Sequence, residues 1–262
     1  MKIGLIGCGA IGEFLLKTIN EDKRFSHNKI TAVFDARKKS SLKLQGLSKK
    51  YEFDVFQDLD EFLNSNIDIV VECANIEAVN KYAARIIQQK DLVLISIGAL
   101  AKMSLYEELQ SIAELNGTKV YLPAGAIGGL DLVKSANIMG ELHKVSLVTR
   151  KPISALSAEP VEEELVLFEG SAKDAIEKFP ENANVAITLS LAGLGIQKTS
   201  VKMIADPTIK KNIHTIYVQG DFGEATFIMK NNPSPTNPKT SHLTALSILS
   251  TLDALNEHIL IG

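Results

Sequence analysis

Six residues near the start of the chain have the glycine spacing of a phosphate-binding loop. Gly7-Cys8-Gly9-Ala10-Ile11-Gly12 follows the apolar run 2–6 directly and leads into a helical pattern from Glu13. In that context the first glycine permits a tight turn, the second lets the backbone approach a pyrophosphate, and the third lets helix and strand pack closely. The phosphates then face the helix N-terminus. The loop therefore predicts a dinucleotide site formed by Gly7, Gly9, Ala10, Ile11 and Gly12.

A carboxylate and two cations bear on the choice of dinucleotide. Asp35 ends a second apolar run and lies 23 residues after Gly12, about where an acidic side chain binds the adenosine ribose. Asp35 would repel a 2′-phosphate, whereas Arg37 or Lys38 could pair with one. The alternative is that these cations belong to the solvated face of the helix that follows. The pattern favours NAD as the cofactor and leaves NADP open.

One of the five histidines stands apart as a candidate for proton transfer. His214 opens an alternating β run that ends at Gly220, and it follows the turn-rich segment 206–212. A histidine at such a strand entry can face a cleft and exchange a proton near neutral pH. A lone histidine in this setting is more often a hydrogen-bonded structural residue, so the pattern alone leaves both interpretations open.

Other side chains offer less specific chemistry. Arg150 and Lys151 end a predicted strand, and Lys151 is our candidate for binding a substrate carboxylate; the alternative is a basic pair that faces solvent. The two cysteines, Cys8 and Cys73, lack the spacing of metal ligands and follow or end apolar runs. We therefore predict no metal site and two reduced thiols.

The elements that must position these residues alternate in type through residues 1–122. Six apolar β runs are separated by helical stretches, which is typical of a Rossmann-type, doubly wound parallel sheet; the runs are 2–6, 29–35, 53–56, 67–71, 92–95 and 119–122. Ligands bind at the carboxyl ends of such strands. At those ends, the segments Glu72–Asn75, which contains Ala74, and Ser96–Ala99 could line a nicotinamide pocket or simply begin helices.

The pattern changes after residue 122. Three β-rich segments follow one another at 199–205, 213–220 and 223–230 without helices between them, which predicts a second, α+β domain with a mixed sheet. We assign residues 123–240 to this catalytic and substrate domain, with residues 231–240 as a turn-forming linker. Leucines at helical spacing predict that 241–262 forms a helix that packs back on the dinucleotide-binding domain.

Composition narrows the class of partner. The chain has 262 residues and a net charge of −3, so nothing in it favours binding to nucleic acid or to a membrane surface, and a small-molecule partner is expected. The apolar N-terminus is broken by glycines and is predicted to be a strand, not a signal peptide. Together with the prediction that both cysteines are reduced thiols, this predicts a cytoplasmic protein.

Four sequence blocks carry a family resemblance. They span the second domain in order, and together with the glycine loop they resemble the L-aspartate dehydrogenase family: Gly125-Ala126-Ile127-Gly128-Gly129-Leu130-Asp131, Phe179-Pro180-Glu181-Asn182-Ala183-Asn184-Val185-Ala186, Asp206-Pro207 with Asn212-Ile213-His214, and Asn237-Pro238-Lys239-Thr240-Ser241. One departure is Ile187, where the family more often has alanine. That change removes no polar group.

The resemblance implies an NAD(P)-dependent oxidoreductase that converts L-aspartate to iminoaspartate, which hydrolyses to oxaloacetate and ammonia, or catalyses the reverse reductive amination. It also implies a homodimer, with residues 123–240 as the dimerisation domain, and a possible supply of iminoaspartate for NAD biosynthesis. By this resemblance His214 is the catalytic residue, and Ala126 and Asn184 contact the cofactor.

Two other functions remain open on the sequence. One is an oxidoreductase of the same layout, of the homoserine dehydrogenase or dihydrodipicolinate reductase type, which would use a lysine or paired histidines as proton donor. No adjacent histidines occur in the chain, which disfavours the paired-histidine variant. The other is a catalytically silent NAD(P)-binding regulator, which would have no need of His214.

Overall fold

The chain forms two compact units in the structure, which is a computed structural model. It describes residues 1–36, 42–153, 162–179, 184–235 and 237–259. One unit comprises Met1–Pro123 together with the described chain from Ile248 onward, and the other comprises Ala124–Ser247. Within the described residues, no helix combines the length and the apolar character needed to cross a membrane.

The first unit is built on a six-stranded parallel sheet. Its strands are β1 (Lys2–Ile6), β2 (Lys29–Phe34), β3 (Asp54–Phe56), β4 (Ile69–Glu72), β5 (Asp91–Leu94) and β6 (Val120–Tyr121). They lie in the order β3-β2-β1-β4-β5-β6, with every neighbouring pair parallel. The strand order reverses beside β1, which is the point where doubly wound sheets bind dinucleotides. The predicted Rossmann-type fold is confirmed.

Helices connect these strands. They are α1 (Ala10–Glu21), α2 (Leu42–Tyr51), α3 (Leu59–Asn64), α4 (Ile76–Ile87) and α5 (Met103–Asn116), with short 3₁₀ turns at Lys23–Phe25 and Ile97–Ala101. Side-chain caps fix the N-termini of α3 and α4. The Asp58 side chain accepts hydrogen bonds from the backbone N–H groups of Asp60 and Glu61, and the Asn75 side chain accepts one from the backbone N–H of Ala78. The Asn75 cap sets where the chain turns after β4.

The second unit contains a five-stranded mixed sheet. Its strands are β7 (Leu142–Pro152), β8 (Leu165–Ser171), β9 (Ser200–Asp206), β10 (Asn212–Gly220) and β11 (Gly223–Asn231), in the order β11-β10-β7-β9-β8. Only the β7 and β9 pair is parallel. Helices α6 (Leu130–Asn137), α7 (Ala172–Lys178) and α8 (Asn184–Ala192) contribute Val133, Ala172, Ala175, Ala186 and Leu189 to the apolar core on one face of this sheet.

The segment predicted to be a linker has regular structure of its own. Two short strands, β12 (Pro233–Ser234) and β13 (Asn237–Ser241), pair antiparallel within it. The prolines that predicted a turn-forming linker are compatible with so short a ribbon, because proline is tolerated in edge strands. Ser241 is therefore held in place by the pairing of β13 with β12.

The last helix, α9 (His242–Ala254), belongs in part to the first unit. Ile248, Leu249 and Leu252 are buried in the same apolar cluster as residues of β1, α1 and β2. Leu243 and Leu246 lie on the same helix but remain 36% and 41% exposed. The leucine spacing therefore predicts only some of the buried positions of α9.

This packing makes a stability prediction. Ile248 is 0% exposed, so Ile248→Ala removes three carbon atoms from a filled core and leaves a cavity. We expect it to lower the free energy of unfolding by about 2–5 kcal/mol. Leu246→Ala, on the same helix, is the control and should cost about 1 kcal/mol or less. Urea unfolding measures the free energy of unfolding of each variant. Equal losses in the two variants would contradict the burial of Ile248 in the core of the first unit.

Candidate active site

The glycine loop between β1 and α1 is held by close backbone packing. Gly7 has φ +93°, and a Cβ placed there would lie 2.8 Å from the Cα of Ala74. A Cβ at Gly12 would lie 2.6 Å from the carbonyl oxygen of Gly7. At Gly9, by contrast, a Cβ would meet no atom within 4 Å. Gly7 and Gly12 thus serve the fold of the loop, whereas the space beside Gly9 is open to a ligand.

The N-terminus of α1 is suited to an anion. Gly9 is its N-cap residue and offers no side-chain hydrogen bond to the first turn, which Ala10, Ile11 and Gly12 form. The unpaired backbone N–H groups and the positive end of the helix dipole therefore remain for phosphate oxygens. This loop fits the pyrophosphate of a dinucleotide.

A cavity of about 380 Å³ adjoins the loop within the first unit. Four of the predicted cofactor residues line it, namely Gly7, Gly9, Asp35 and Ala74. The remaining walls are Ile6, Cys8, Val33, Phe34, Ala36, Leu44, Asn75, Ala78 and Tyr82. Leu44 and Tyr82 were not anticipated from the sequence, because neither belongs to a motif. Arg37 and Lys38, the predicted partners of a 2′-phosphate, lie outside the described residues.

A buried carboxylate joins the ends of β4 and β5. Glu72 is 2% exposed and accepts hydrogen bonds from the backbone N–H of Ala74 at 2.8 Å and of Ser96 at 2.9 Å. The Ser96 hydroxyl donates to it as well, at 2.9 Å. The backbone N–H of Ile95 is a fourth donor, at 3.3 Å. Burial raises the pKa of this carboxyl group, and these four donors oppose that rise. Glu72 therefore fixes both turns that the sequence suggested for the nicotinamide pocket.

In the second unit, the buried face of the sheet changes from apolar to polar along the strands. Leu147 and Ile216 are paired across β7 and β10 and are buried in the core. The next pair on that face is Thr149 and His214. Thr149 lies two residues after Leu147 on β7, and His214 lies two residues before Ile216 on β10. Lys151 follows on the same face of β7, and Asn212 lies on the same face of β10. We call Thr149, Lys151, Asn212 and His214 the polar cluster; each is 7% exposed or less.

Hydrogen bonds order this polar cluster. The Oγ1 atom of Thr149 lies 3.0 Å from Nδ1 of His214. The Nδ2 atom of Asn212 donates to the hydroxyl of Ser241 at 3.3 Å, so the end of β13 is tied to the start of β10. Two of the sequence blocks that carried the family resemblance, 212–214 and 237–241, therefore meet here.

The two basic groups of the polar cluster are shifted in the same direction. Burial first, and then the nearby charge of Lys151, lower the pKa of His214 to about 4. Burial lowers the pKa of Lys151 to about 8. At pH 7 the imidazole is thus neutral while most of the lysine is charged. The pKa of His214 therefore lies below the near-neutral value that the sequence predicts for a proton-transfer group, because burial disfavours the charged form.

Arg150 does not join the polar cluster. Neighbouring residues in a strand face opposite sides of a sheet, so Arg150 points away from Lys151. It forms ion pairs with Glu164 and with Asp206, the latter at 3.6 Å. Of the two cations that end β7, only Lys151 is buried beside His214.

The two remaining cofactor candidates also lie in the second unit. Ala126 is 6% exposed, and its carbonyl oxygen accepts a hydrogen bond from Nδ2 of Asn231 at 2.7 Å. Asn184 is the first residue of α8, and its carbonyl oxygen accepts from the Thr188 hydroxyl at 3.0 Å. The preceding residues of its block, 180–183, lie outside the described residues.

The first unit combines a doubly wound sheet with this glycine loop, and the second unit buries the polar cluster. This combination defines a pyridine-nucleotide-dependent dehydrogenase. Comparison with known families agrees. Residues 7–123 match the family described as "Homoserine dehydrogenase, NAD binding domain", and residues 131–255 match "Aspartate dehydrogenase, C-terminal". The chain belongs to the aspartate dehydrogenase family.

Individual relatives cover the whole chain. L-aspartate dehydrogenases of Methanosarcina barkeri and Methanococcus maripaludis are 39% and 37% identical, each over 100% of this chain and 99% of the relative. The crystal structure of aspartate dehydrogenase from Thermotoga maritima matches with a TM-score of 0.81 and 31% identity, over 100% of this chain and 99% of that one. The resemblance read from the sequence blocks is confirmed.

Proposed function

We propose that this protein oxidises L-aspartate to iminoaspartate with a pyridine nucleotide, and catalyses the reverse reductive amination. The observation that carries the proposal is the polar cluster, in which a charged lysine and a neutral imidazole are buried on one face of a sheet. An amino-dicarboxylate needs a cation for a carboxylate and a base for its ammonium group. Curated relatives of the same length are named L-aspartate dehydrogenases, which supports this choice of substrate.

The first unit holds the dinucleotide. The backbone at Gly9 and the N-terminus of α1 bind the pyrophosphate, and the carboxylate of Asp35 accepts hydrogen bonds from the adenosine ribose. Leu44 and Tyr82 supply apolar walls for the adenine ring. Ala74, at the carboxyl end of β4, is a further cofactor contact predicted from the strand pattern. The family resemblance implies Ala126 and Asn184 as two more. A bound nicotinamide ring would supply the acceptor for the hydride that leaves the substrate Cα.

Lys151 binds a substrate carboxylate. Its ammonium group is mostly charged at pH 7 even though burial lowers its pKa to about 8. A carboxylate brought next to it favours the charged form and raises that pKa again. The lysine therefore stays cationic when substrate is bound, and the ion pair compensates for the burial of both groups.

His214 takes the substrate proton. Cα can lose a hydride only when the amine nitrogen has a lone pair with which to form the C=N bond, so the ammonium group must first lose a proton to a base. The neutral imidazole has one free nitrogen lone pair for that proton. Negative charge on the bound substrate raises the pKa of His214 above its ligand-free value of about 4. Water then adds to the imine and releases oxaloacetate and ammonia.

An absorbance assay at about 340 nm, where reduced nicotinamide absorbs, tests the proposal. We expect NADH or NADPH to form with L-aspartate, and to be consumed with oxaloacetate plus ammonia. L-homoserine serves as the comparison substrate, because a homoserine dehydrogenase is the second candidate and the first unit matches that family's domain. Turnover of homoserine alone would overturn the assignment to aspartate. Dinucleotide binding without any turnover would favour a silent regulator.

Cofactor preference depends on Asp35. Its carboxylate opposes the 2′-phosphate of NADP, so we expect the wild-type protein to prefer NAD and Asp35→Ser to shift the ratio of kcat/KM values toward NADP by about 10-fold or more. Asp54→Ser, at an exposed carboxylate on the neighbouring strand β3, is the control and should leave the ratio unchanged. An unchanged ratio for Asp35→Ser would show that this residue does not select the cofactor.

Three expectations remain predictions. The homodimer is supported by large apolar side chains that stay exposed on β8 and β11, where Val166 is 46% and Ile228 is 60% exposed. A cytoplasmic location is supported by Cys8 and Cys73, which form no disulfide bond within the described residues. A role in NAD biosynthesis depends on whether iminoaspartate reaches a second enzyme before it hydrolyses.

A further inference from the structure

Thr149 is the hydrogen-bonding neighbour of the catalytic histidine that the sequence did not reveal. It pairs with His214 in the register of β7 and β10, and both side chains are 3% exposed. Its Oγ1 atom lies 3.0 Å from Nδ1 of the imidazole. Residues directly opposite each other on paired strands share one face of the sheet, so this contact follows from the register.

The other neighbours of the ring in the sheet cannot replace this contact. On β11 the residue paired with His214 is Met229, and on β9 the residue paired with Thr149 is Met203. Both are apolar side chains with at most a weak acceptor. Within the described residues the bond to Thr149 is the imidazole's one hydrogen bond, made through Nδ1. Nε2 is therefore the nitrogen left for a substrate.

We propose that Thr149 is a positioning residue that fixes the tautomer of His214: Nδ1 carries the hydrogen and donates it to Oγ1, so that the lone pair is on Nε2. A neutral imidazole has one N–H, and only the unprotonated nitrogen can act as a base. When Nε2 takes the substrate proton, Nδ1 keeps its hydrogen and its bond to Thr149. The proton leaves again from Nε2, so no charge passes to the hydroxyl.

The choice of threonine has a chemical consequence. A carboxylate beside Nδ1 would stabilise the imidazolium and retain the proton, whereas a neutral hydroxyl orients the ring without holding the charge. Lys151, which lies near the ring, also disfavours the imidazolium. His214 can therefore release its proton readily after each turnover. This inference rests on the proposed function, because it concerns how His214 acts as a base.

Two substitutions at Thr149 separate orientation from packing. Thr149→Val keeps the shape and removes the hydroxyl, and we expect it to lower kcat about 10- to 100-fold with a smaller change in KM. Thr149→Ser keeps the hydroxyl and should recover most of the lost kcat. Thr226→Val, at an exposed threonine of β11, is the control and should behave like the wild type. A Thr149→Val variant with wild-type kcat would overturn the proposal, as would a Thr149→Ser variant as slow as Thr149→Val.

A second measurement does not depend on turnover. Nitrogen NMR of the full chain with labelled histidine distinguishes the two tautomers, and His214→Gln identifies the signal of His214. We expect the hydrogen on Nδ1 in the wild type and a mixture of tautomers in Thr149→Val. A wild-type signal with the hydrogen on Nε2 would refute the assigned orientation. If the wild-type protein failed to oxidise L-aspartate, the proposed function would fail while the tautomer measurement still tested the contact.

Discussion

His214→Ala is expected to lower kcat with L-aspartate by about 10²- to 10⁴-fold, the range for removal of a general base. NAD affinity should stay close to that of the wild type, because the pyrophosphate and ribose are bound by the glycine loop and Asp35 in the other unit. Steady-state kinetics at saturating NAD and a separate titration of NADH binding measure the two effects.

The control for this prediction lies in the same sheet. His143 is on β7 near its exposed end, with a side chain that is 60% exposed and an Nε2 atom 3.2 Å from Oδ1 of Asp221, so His143→Ala should change kcat little. Because His214 is buried, His214→Gln is a second variant that keeps a polar side chain of similar length if the alanine variant unfolds. A folded variant of either kind with near wild-type kcat would exclude the catalytic role and leave Lys151 as the next group to test.

Gly9→Ala is expected to raise the Kd for NAD by about 10- to 100-fold without loss of stability. Gly9 has φ −84°, which alanine adopts readily, and its new Cβ would meet no protein atom within 4 Å. The space beside it is where the pyrophosphate must approach the backbone, so the methyl group displaces the ligand at a cost of about 1–3 kcal/mol. Calorimetric titration measures Kd, and thermal unfolding measures stability.

Two further alanine substitutions bracket this result. Gly46→Ala, on α2, also places a Cβ where no atom lies within 4 Å, and it should leave NAD affinity unchanged. Gly12→Ala should destabilise the free protein as well as weaken binding, because its Cβ would lie 2.6 Å from the Gly7 carbonyl oxygen. If Gly9→Ala bound NAD as tightly as the wild type, the pyrophosphate would have to bind elsewhere.

The sequence by itself determined the class of fold and the position of the dinucleotide loop. Both follow from local rules: glycine is required where φ is positive or a backbone approaches closely, as at Gly7 and Gly12, and buried parallel strands must be apolar runs between helices. The blocks of the second domain then indicated the family and His214. These signals lie within short stretches of chain, so they can be read before any tertiary contact is known.

Only the tertiary structure decided which side chains surround His214. Thr149 lies 65 residues away from it in sequence, and strand register, which the sequence does not state, brings the two together. Pairing in the sheet buries Lys151 on the face that carries His214. Arg150, its neighbour in the chain, lies on the other face because side chains alternate along a strand. The pKa of His214 is lowered by burial and by the closeness of the Lys151 charge. Both effects require that β7 and β10 have paired, because in the unfolded chain the two side chains are solvated and apart.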